Sequence, residues 1–114
     1  MVTIDLTFLR TFTKNDAEKM KKYIKMFLSI APNAVAEMEL YNQQKNYDAL
    51  KVNAHSLKPQ ISYMGIKELE QTIKEIEYQS GSRNNVEQLS DKIAFFKQGC
   101  STACALLNAE LLHL

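Results

Sequence analysis

Apolar residues recur along most of the chain at alternating steps of three and four, the spacing of one face of an α-helix. The longest unbroken run in the middle of the chain comprises Tyr47, Leu50, Ala54, Leu57, Ile61 and Met64. A second run follows at once, at Ile66, Leu69, Ile73 and Ile76, and a third continues through Val86, Leu89, Ile93, Phe96, Cys100, Ala103 and Leu107. These runs predict three long amphipathic helices. We expect the first of them to span roughly residues 46 to 64.

The N-terminal part of the chain predicts shorter helices. Asp5 to Phe12 places Leu6 and Leu9, with either Phe8 or Phe12, on one side of a short helix, and Asn15 or Asp16 can cap the next. The apolar positions of that second helix are Met20, Tyr23, Ile24, Phe27 and Leu28. Because proline is tolerated in the first turn of a helix, we expect Pro32 to open a further one, with Val35, Met38 and Tyr41 on its apolar side.

Turn residues divide the predicted helices. Gly65 is expected to end the helix near residues 46 to 64, and Gly81 is placed to cap the C-terminus of the next. Asn85 with Gln88 has the form of a capping box for the last helix. Short joints between long amphipathic helices imply antiparallel neighbours. We therefore expect residues 1–114 to form a single all-α domain, an up-and-down antiparallel four-helix bundle with an additional short N-terminal helix.

Charge and composition narrow the class of protein. Fourteen basic and thirteen acidic residues nearly balance, which argues against bulk attraction to nucleic acid or to an anionic membrane. No signal peptide opens the sequence and no apolar run approaches membrane-spanning length, so we expect a cytoplasmic protein. The lysines at 19, 21, 22 and 25 fit a solvated face better than a docking surface. Cys100 and Cys104 fit buried thiols better than a metal site, because only His113 offers even a distant third ligand.

His55 lies on the long central helix but off its apolar stripe. Lys51 and Lys58 are one turn away on either side, and Ser62 is two turns on, so these side chains form a polar stripe. We therefore expect His55 to be clearly more exposed than its neighbours Ala54 and Leu57. A surface histidine often has no function, so exposure alone does not mark His55 as a functional residue.

The hairpin expected around Gly65 supplies one such observation. If the two helices run antiparallel about Gly65 and Ile66, residues whose numbers sum to about 132 lie at similar heights. Glu77 then lies opposite His55. A carboxylate there can accept a hydrogen bond from Nδ1–H, which holds one tautomer and leaves the Nε2 lone pair free as a nucleophile.

Pro59 is a second unusual feature close to His55. It lies inside a long periodic helix, where proline costs roughly 3 kcal/mol, and it offers no N–H to the carbonyl of His55. We expect a bend beside the histidine, although a tolerated kink without functional meaning is a comparable reading.

The residues Asn53-Ala54-His55-Ser56-Leu57-Lys58, followed by Gly65 and Leu69, resemble the signature of histidine-containing phosphotransfer (HPt) domains. Residues 4–9, 27–32 and 47–50 are similar to the usual lead-in and to the entry of the histidine helix. The resemblance implies that His55 is the phosphorylated histidine and that Lys58 lies near the phosphoryl group. It also implies that Glu77 occupies the position where members often carry a Gln or Glu that hydrogen-bonds the histidine ring.

One departure concerns docking. Pro59 and Gln60 stand where the family usually has glycine and a small residue, and that glycine is thought to let a partner approach closely. Lys51, Pro59, Gln60 and Ser62 are candidate contacts for the phosphoryl group or the partner. Gln60 fits a solvated helix residue better than a ligand of the phosphoryl group.

The function implied is that of a phosphotransfer intermediate in a two-component phosphorelay. Its partners would be receiver domains of response regulators or of hybrid histidine kinases, which carry their own Mg²⁺. The chain itself would need no cofactor, would have no kinase site and would act as a monomer. The alternative is a helical bundle that binds a partner without chemistry. A metal or haem bundle is a weaker alternative, because it needs several inward-facing ligands.

Overall fold

The chain forms four long α-helices packed as an antiparallel bundle, with a short helix in front of them. The computed structural model describes residues 1–114, with α1 at Thr7–Phe12, α2 at Ala17–Gln43, α3 at Tyr47–Tyr63, α4 at Lys67–Ser82, a 3₁₀ turn at Val86–Gln88 and α5 at Leu89–Leu111. Neighbouring helices in the bundle are α2 with α3, α3 with α4, α4 with α5, and α5 with α2, so α3 and α5 lie on a diagonal. No strand is present. The predicted fold class is confirmed.

The apolar stripes read from the sequence form the core. Twenty-three buried hydrophobic residues make one cluster that takes members from every α-helix. The observed bounds of α3 confirm the range expected for the helix that carries His55. Asn46 caps α3 by accepting a hydrogen bond from the Ala49 amide, and Asp16 caps α2 in the same way through the Lys19 amide. None of the helices is long and apolar enough to cross a membrane.

The expectation that Pro32 opens a new helix is wrong. Pro32 lies inside α2, which continues without interruption for 27 residues. The buried residues Phe27, Ala31 and Val35 keep the helical spacing through the proline, and Pro32 itself is exposed. Packing of this buried stripe against the bundle therefore outweighs the local cost of the missing amide.

Gly81 is not the C-cap of α4. The helix runs through Gly81 to Ser82, and Arg83 takes the left-handed cap position with a φ of 60°. The Arg83 guanidinium donates to the Ser80 carbonyl and to the Asp48 carboxylate at 2.8 Å. These contacts hold the non-glycine cap in place, which the sequence pattern alone does not reveal.

The capping box expected at Asn85 does not form. Asn85 has a φ of 51° and precedes the 3₁₀ turn, without a side-chain capping bond, and α5 begins only at Leu89. Gln88, which would have completed the box, accepts instead from the Gln79 side chain. Gln79 is buried and also donates to the carbonyls of residues 84 and 85, so it organises this loop from within α4.

Gly65 ends α3 as expected, in a left-handed conformation with a φ of 63°. The backbone of Asp5 lies directly against Gly65, because the Asp5 amide donates to the carbonyl of Met64. Thr3 donates to the Glu68 carboxylate from both its amide and its hydroxyl. The N-terminal segment is therefore fastened across the α3–α4 turn, and that turn sets the relative height of the two helices.

Candidate functional site

The rotation of α3 places His55 at the surface. Ala54 and Leu57 are almost completely buried and fix which side of the helix faces the core. The imidazole lies off that side, and 69% of its side chain is exposed. The predicted difference in exposure between His55 and its two apolar neighbours is confirmed.

Glu77 lies opposite His55 on α4, as the hairpin relation predicts. Its Oε2 is 2.7 Å from Nδ1 of His55. The Glu77 side chain itself is largely buried, with 18% of it exposed. Because a carboxylate can only accept, Nδ1 carries the hydrogen in this contact. A neutral ring then has its lone pair on Nε2. The predicted hydrogen bond is confirmed as a direct contact.

Lys58 binds the same carboxylate. Its Nζ lies 2.8 Å from the other Glu77 oxygen, Oε1, so the glutamate bridges the lysine and the histidine. The Lys58 hydrogen bond, together with the weaker one from His55, holds the pKa of Glu77 below its ordinary value in spite of partial desolvation. Glu77 therefore stays ionised at neutral pH, which the contact with Nδ1–H requires.

This lowered pKa predicts a pH dependence of stability. A carboxyl group whose pKa is lower in the folded state stabilises the fold above its unfolded pKa, and that contribution is lost as pH falls through the folded pKa. For Glu77 the loss therefore falls below the ordinary value of 4.5. We expect Glu77→Gln to be less stable than the parent at pH 5.5, with the gap closing toward pH 2.5. Urea unfolding at several pH values measures it, and a gap that stays constant would contradict the assignment.

The other residues expected at the site are distributed around it. Pro59 and Ser62 are exposed on the outer side of α3, one and two turns from His55, and α3 continues through Pro59. Gln60 is half-buried and lines a small apolar cavity beneath α1, on another side of the helix. The structure therefore groups His55, Lys58 and Glu77 and leaves Gln60 apart from them. Lys51 lies on the α4 side of His55, where its stem crosses Gly81.

Two features near the site are absent from the sequence-based expectations. Lys74 on α4 lines the same open cleft as Lys51, Lys58 and Glu77. The sequence could have indicated Lys74, because the numbers of Lys58 and Lys74 also sum to 132, the relation that places Glu77 opposite His55. The second feature is an exposed aromatic cluster in which the Phe8 ring stacks on Phe12 at 6.0 Å and on Tyr63 at 5.4 Å. Helical spacing gives no signal for the second contact, because it joins α1 to the end of α3.

Both cysteines are free thiols. Cys100 is buried as expected, whereas Cys104 is only partly buried. Burial raises the pKa of Cys100 to about 12, and Cys104, which is half-buried, has a raised pKa for the same reason. Both stay protonated at neutral pH. No three His, Cys, Asp or Glu side chains are grouped closely enough to hold a metal ion.

Two solved structures share this fold. Histidine-containing phosphotransfer protein B from Pseudomonas aeruginosa PAO1 superposes with a TM-score of 0.87, at 19% sequence identity, over 97% of this chain and 96% of that one. The HPT domain of the Hpt sensor hybrid histidine kinase from Shewanella superposes with a TM-score of 0.82, at 18% identity, over 97% and 95% of the two chains. At such identities the similarity establishes the fold. No curated protein matches the sequence.

The sequence itself carries the family assignment. The family model described as "Hpt domain" matches residues 22–112, a range that contains all four bundle helices except the first turns of α2. It includes His55, Lys58 and Glu77. On this evidence, the chain belongs to the Hpt domain family.

Proposed function

We propose that this protein is a phosphotransfer intermediate that accepts a phosphoryl group on Nε2 of His55 from the aspartyl phosphate of a receiver domain and passes it to another. Membership of the Hpt domain family supports a phosphotransfer role in two-component signalling. The observation that carries the proposal that His55 accepts the phosphoryl group is the 2.7 Å contact between Glu77 and Nδ1 of the exposed His55. It presents Nε2 to a partner with its lone pair free.

The chemistry balances without a proton transfer on this chain. The Nε2 lone pair attacks phosphorus, the N–P bond forms, and the acyl P–O bond of the partner breaks so that its aspartate leaves as a carboxylate. Positive charge develops on the imidazole, which keeps its Nδ1 hydrogen. The Glu77 carboxylate stabilises that charge through the hydrogen bond it already makes. Transfer onward is the reverse reaction, and the receiver contributes its own Mg²⁺ to the phosphoryl oxygens.

Lys58 acts on this reaction through two effects. Its contact with Glu77 fixes the carboxylate that orients the ring. Its ammonium also adds positive charge close to the imidazole, and phosphoryl transfer depends mainly on positioning and charge stabilisation. In this proposal the chain is a phosphocarrier, and the kinase activity belongs to its partners.

The surface around His55 offers the partner apolar contacts. Val52 and Pro59 are exposed on the same helix as the histidine, one turn before and after it. Tyr63 lies about 12 Å from His55 along α3, at about 1.5 Å per residue. Its exposed ring stacks on Phe8, which in turn stacks on Phe12. An exposed apolar patch beside a reactive group is typical of a docking surface, so we place the receiver over α3 and α1.

The direct test is phosphoryl transfer from a panel of phosphorylated receiver domains taken from the protein's own source. We expect acid-labile, alkali-stable label on this chain with at least one receiver, as phosphohistidine requires. A chain that binds receivers but never takes label would favour the alternative, an interaction module without chemistry.

The roles of Glu77 and Lys58 predict graded effects on the transfer rate. Glu77→Ala releases the ring and is expected to slow transfer by roughly ten- to a hundredfold, since small errors of orientation are costly. Lys58→Ala removes charge beside the phosphoryl group and is expected to slow transfer about tenfold, or 1.4 kcal/mol in the barrier. Both variants keep the nucleophile, so both should still transfer. Rapid-quench kinetics with a cognate receiver measures these rates.

Glu77→Gln is the matched control for this series. Its amide oxygen can still accept from Nδ1–H, but it no longer carries the charge that pairs with Lys58. We expect its rate to lie between those of the parent and Glu77→Ala. If Glu77→Ala transfers at the parental rate, the orienting role of Glu77 is wrong.

A further inference from the structure

At three successive levels, residues of α3 and α4 whose numbers sum to 132 lie opposite one another. His55 faces Glu77, Lys58 faces Lys74, and at the third level Lys51 faces Gly81. A Cβ placed on Gly81 would lie 2.9 Å from Cδ of Lys51 and 3.2 Å from its Cε, so the lysine stem lies across the backbone of α4 where a side chain is missing. Gly81 therefore provides the space that lets Lys51 lie flat beside the site.

An open cleft of about 460 Å³ lies along this line, with Lys51, Lys58, Lys74 and Glu77 in its walls. We call it the lysine cleft. Its charge is unbalanced, because the one carboxylate, Glu77, is already bound by Lys58 and His55.

The two remaining lysines of the cleft have no carboxylate partner. Neither Lys51 nor Lys74 takes part in any of the ion pairs of the structure. Asp48, one turn before Lys51, is bound by Arg83 instead. Two ammonium groups are therefore available to an anion that approaches beside His55.

We infer that the lysine cleft receives a carboxylate-bearing segment of the receiver domain that docks on His55. This inference rests on the proposed function, because it names a second contact of the same partner. The cleft is continuous with Glu77, so a protein that reaches Nε2 of His55 also covers its rim. Complementary charge at the edge of an interface acts mainly on association and its salt dependence. Lys51 and Lys74 are accordingly specificity-determining residues for docking. Of the two contacts left open for Lys51 by the sequence, this is the contact with the partner and not the one with the phosphoryl group.

The double variant Lys51→Gln/Lys74→Gln tests this assignment. With a cognate receiver we expect its dissociation constant to rise about three- to tenfold at low salt, since exposed ion pairs contribute modestly to binding. The salt dependence of binding should become weaker, while the transfer rate at saturating receiver stays within about twofold of the parent. Calorimetric titration with the unphosphorylated receiver and rapid-quench kinetics give the two quantities.

Lys97→Gln is the control for the loss of a lysine charge away from the cleft: it removes one charge, which pairs with Glu39, from α5, diagonally across the bundle from α3. The inference is overturned if the double variant binds like Lys97→Gln with an unchanged salt slope. It is also overturned if the transfer rate at saturating receiver falls while the dissociation constant stays at the parental value. Either failure can occur while the parent still takes acid-labile label, so it is distinguishable from failure of the proposed function, in which no receiver labels the parent.

Gly81→Ala provides a second, independent variant. The added methyl group displaces the Lys51 stem, so the dissociation constant should rise measurably but by less than in the double variant. Thermal stability should be unchanged or higher, because alanine favours a helix over glycine. Parental affinity in Gly81→Ala would contradict a role for the position of Lys51.

Discussion

His55→Gln is expected to abolish phosphoryl acceptance and to leave the bundle folded. The substitution removes the Nε2 nucleophile, and a glutamine amide nitrogen has no available lone pair with which to replace it. The fold should survive because the His55 side chain is 69% exposed and lies outside the core. Substitutions at such positions usually change the free energy of unfolding by no more than about 0.5 kcal/mol. The glutamine amide can also donate to Glu77, so the bridge to Lys58 has a replacement donor.

His113→Gln is the control for this experiment, since His113 is the second of the chain's two histidines and is exposed in the C-terminal turn. We expect His113→Gln to take label at the parental rate and His55→Gln to take none above background. Circular dichroism and urea unfolding check that both variants are folded. Label retained by a folded His55→Gln variant would place the phosphorylated residue elsewhere.

Gly65→Ala is expected to lower the free energy of unfolding by about 2–6 kcal/mol. One part of the loss is conformational, because Gly65 has a φ of 63° and left-handed backbone at other residues costs about 1–3 kcal/mol. The other part is steric. An added Cβ would lie far inside contact distance of the Asp5 backbone, and such overpacking costs about 1–3 kcal/mol. The N-terminal segment must therefore move away from the α3–α4 turn.

Gly81→Ala serves as the control here as well, because it adds the same methyl group to an exposed helical position with only the flexible Lys51 stem beside it. Urea unfolding at pH 7 should rank Gly65→Ala well below the parent and Gly81→Ala at or above it. Equal stability of the two variants would show that neither the φ of residue 65 nor its contact with Asp5 matters to the fold.

The sequence determined the helices and the sides that they bury. Spacings of three and four are a local property of an α-helix, so the stripe from Leu50 to Ile61 identifies the core side of α3 before any partner helix is known. The same spacing leaves His55 outside the core. The position of Gly65 then sets the height of α4 against α3, which was enough to place Glu77 opposite His55.

Expectations based on a single turn or cap residue were less successful. Pro32 was expected to begin a helix, Gly81 to end one and Asn85 to cap one, and each expectation was wrong. These residues have weak local preferences of about 1–3 kcal/mol at most, and burial of a long apolar stripe exceeds such a preference. Packing along α2 carries the helix through Pro32, and the contacts of Arg83 and Gln79 decide how α4 ends.

The tertiary structure alone decided which charged and aromatic groups meet. Lys58 was expected near the phosphoryl group, and the contact that the structure shows for it is the one with Glu77. The stacking of Phe8 on Tyr63 and the placement of Lys51 over Gly81 were not expected. Helical spacing defines where a side chain leaves its own helix. Which group it meets depends on the lateral distance and tilt between helices, and those are set by the packing of the whole core.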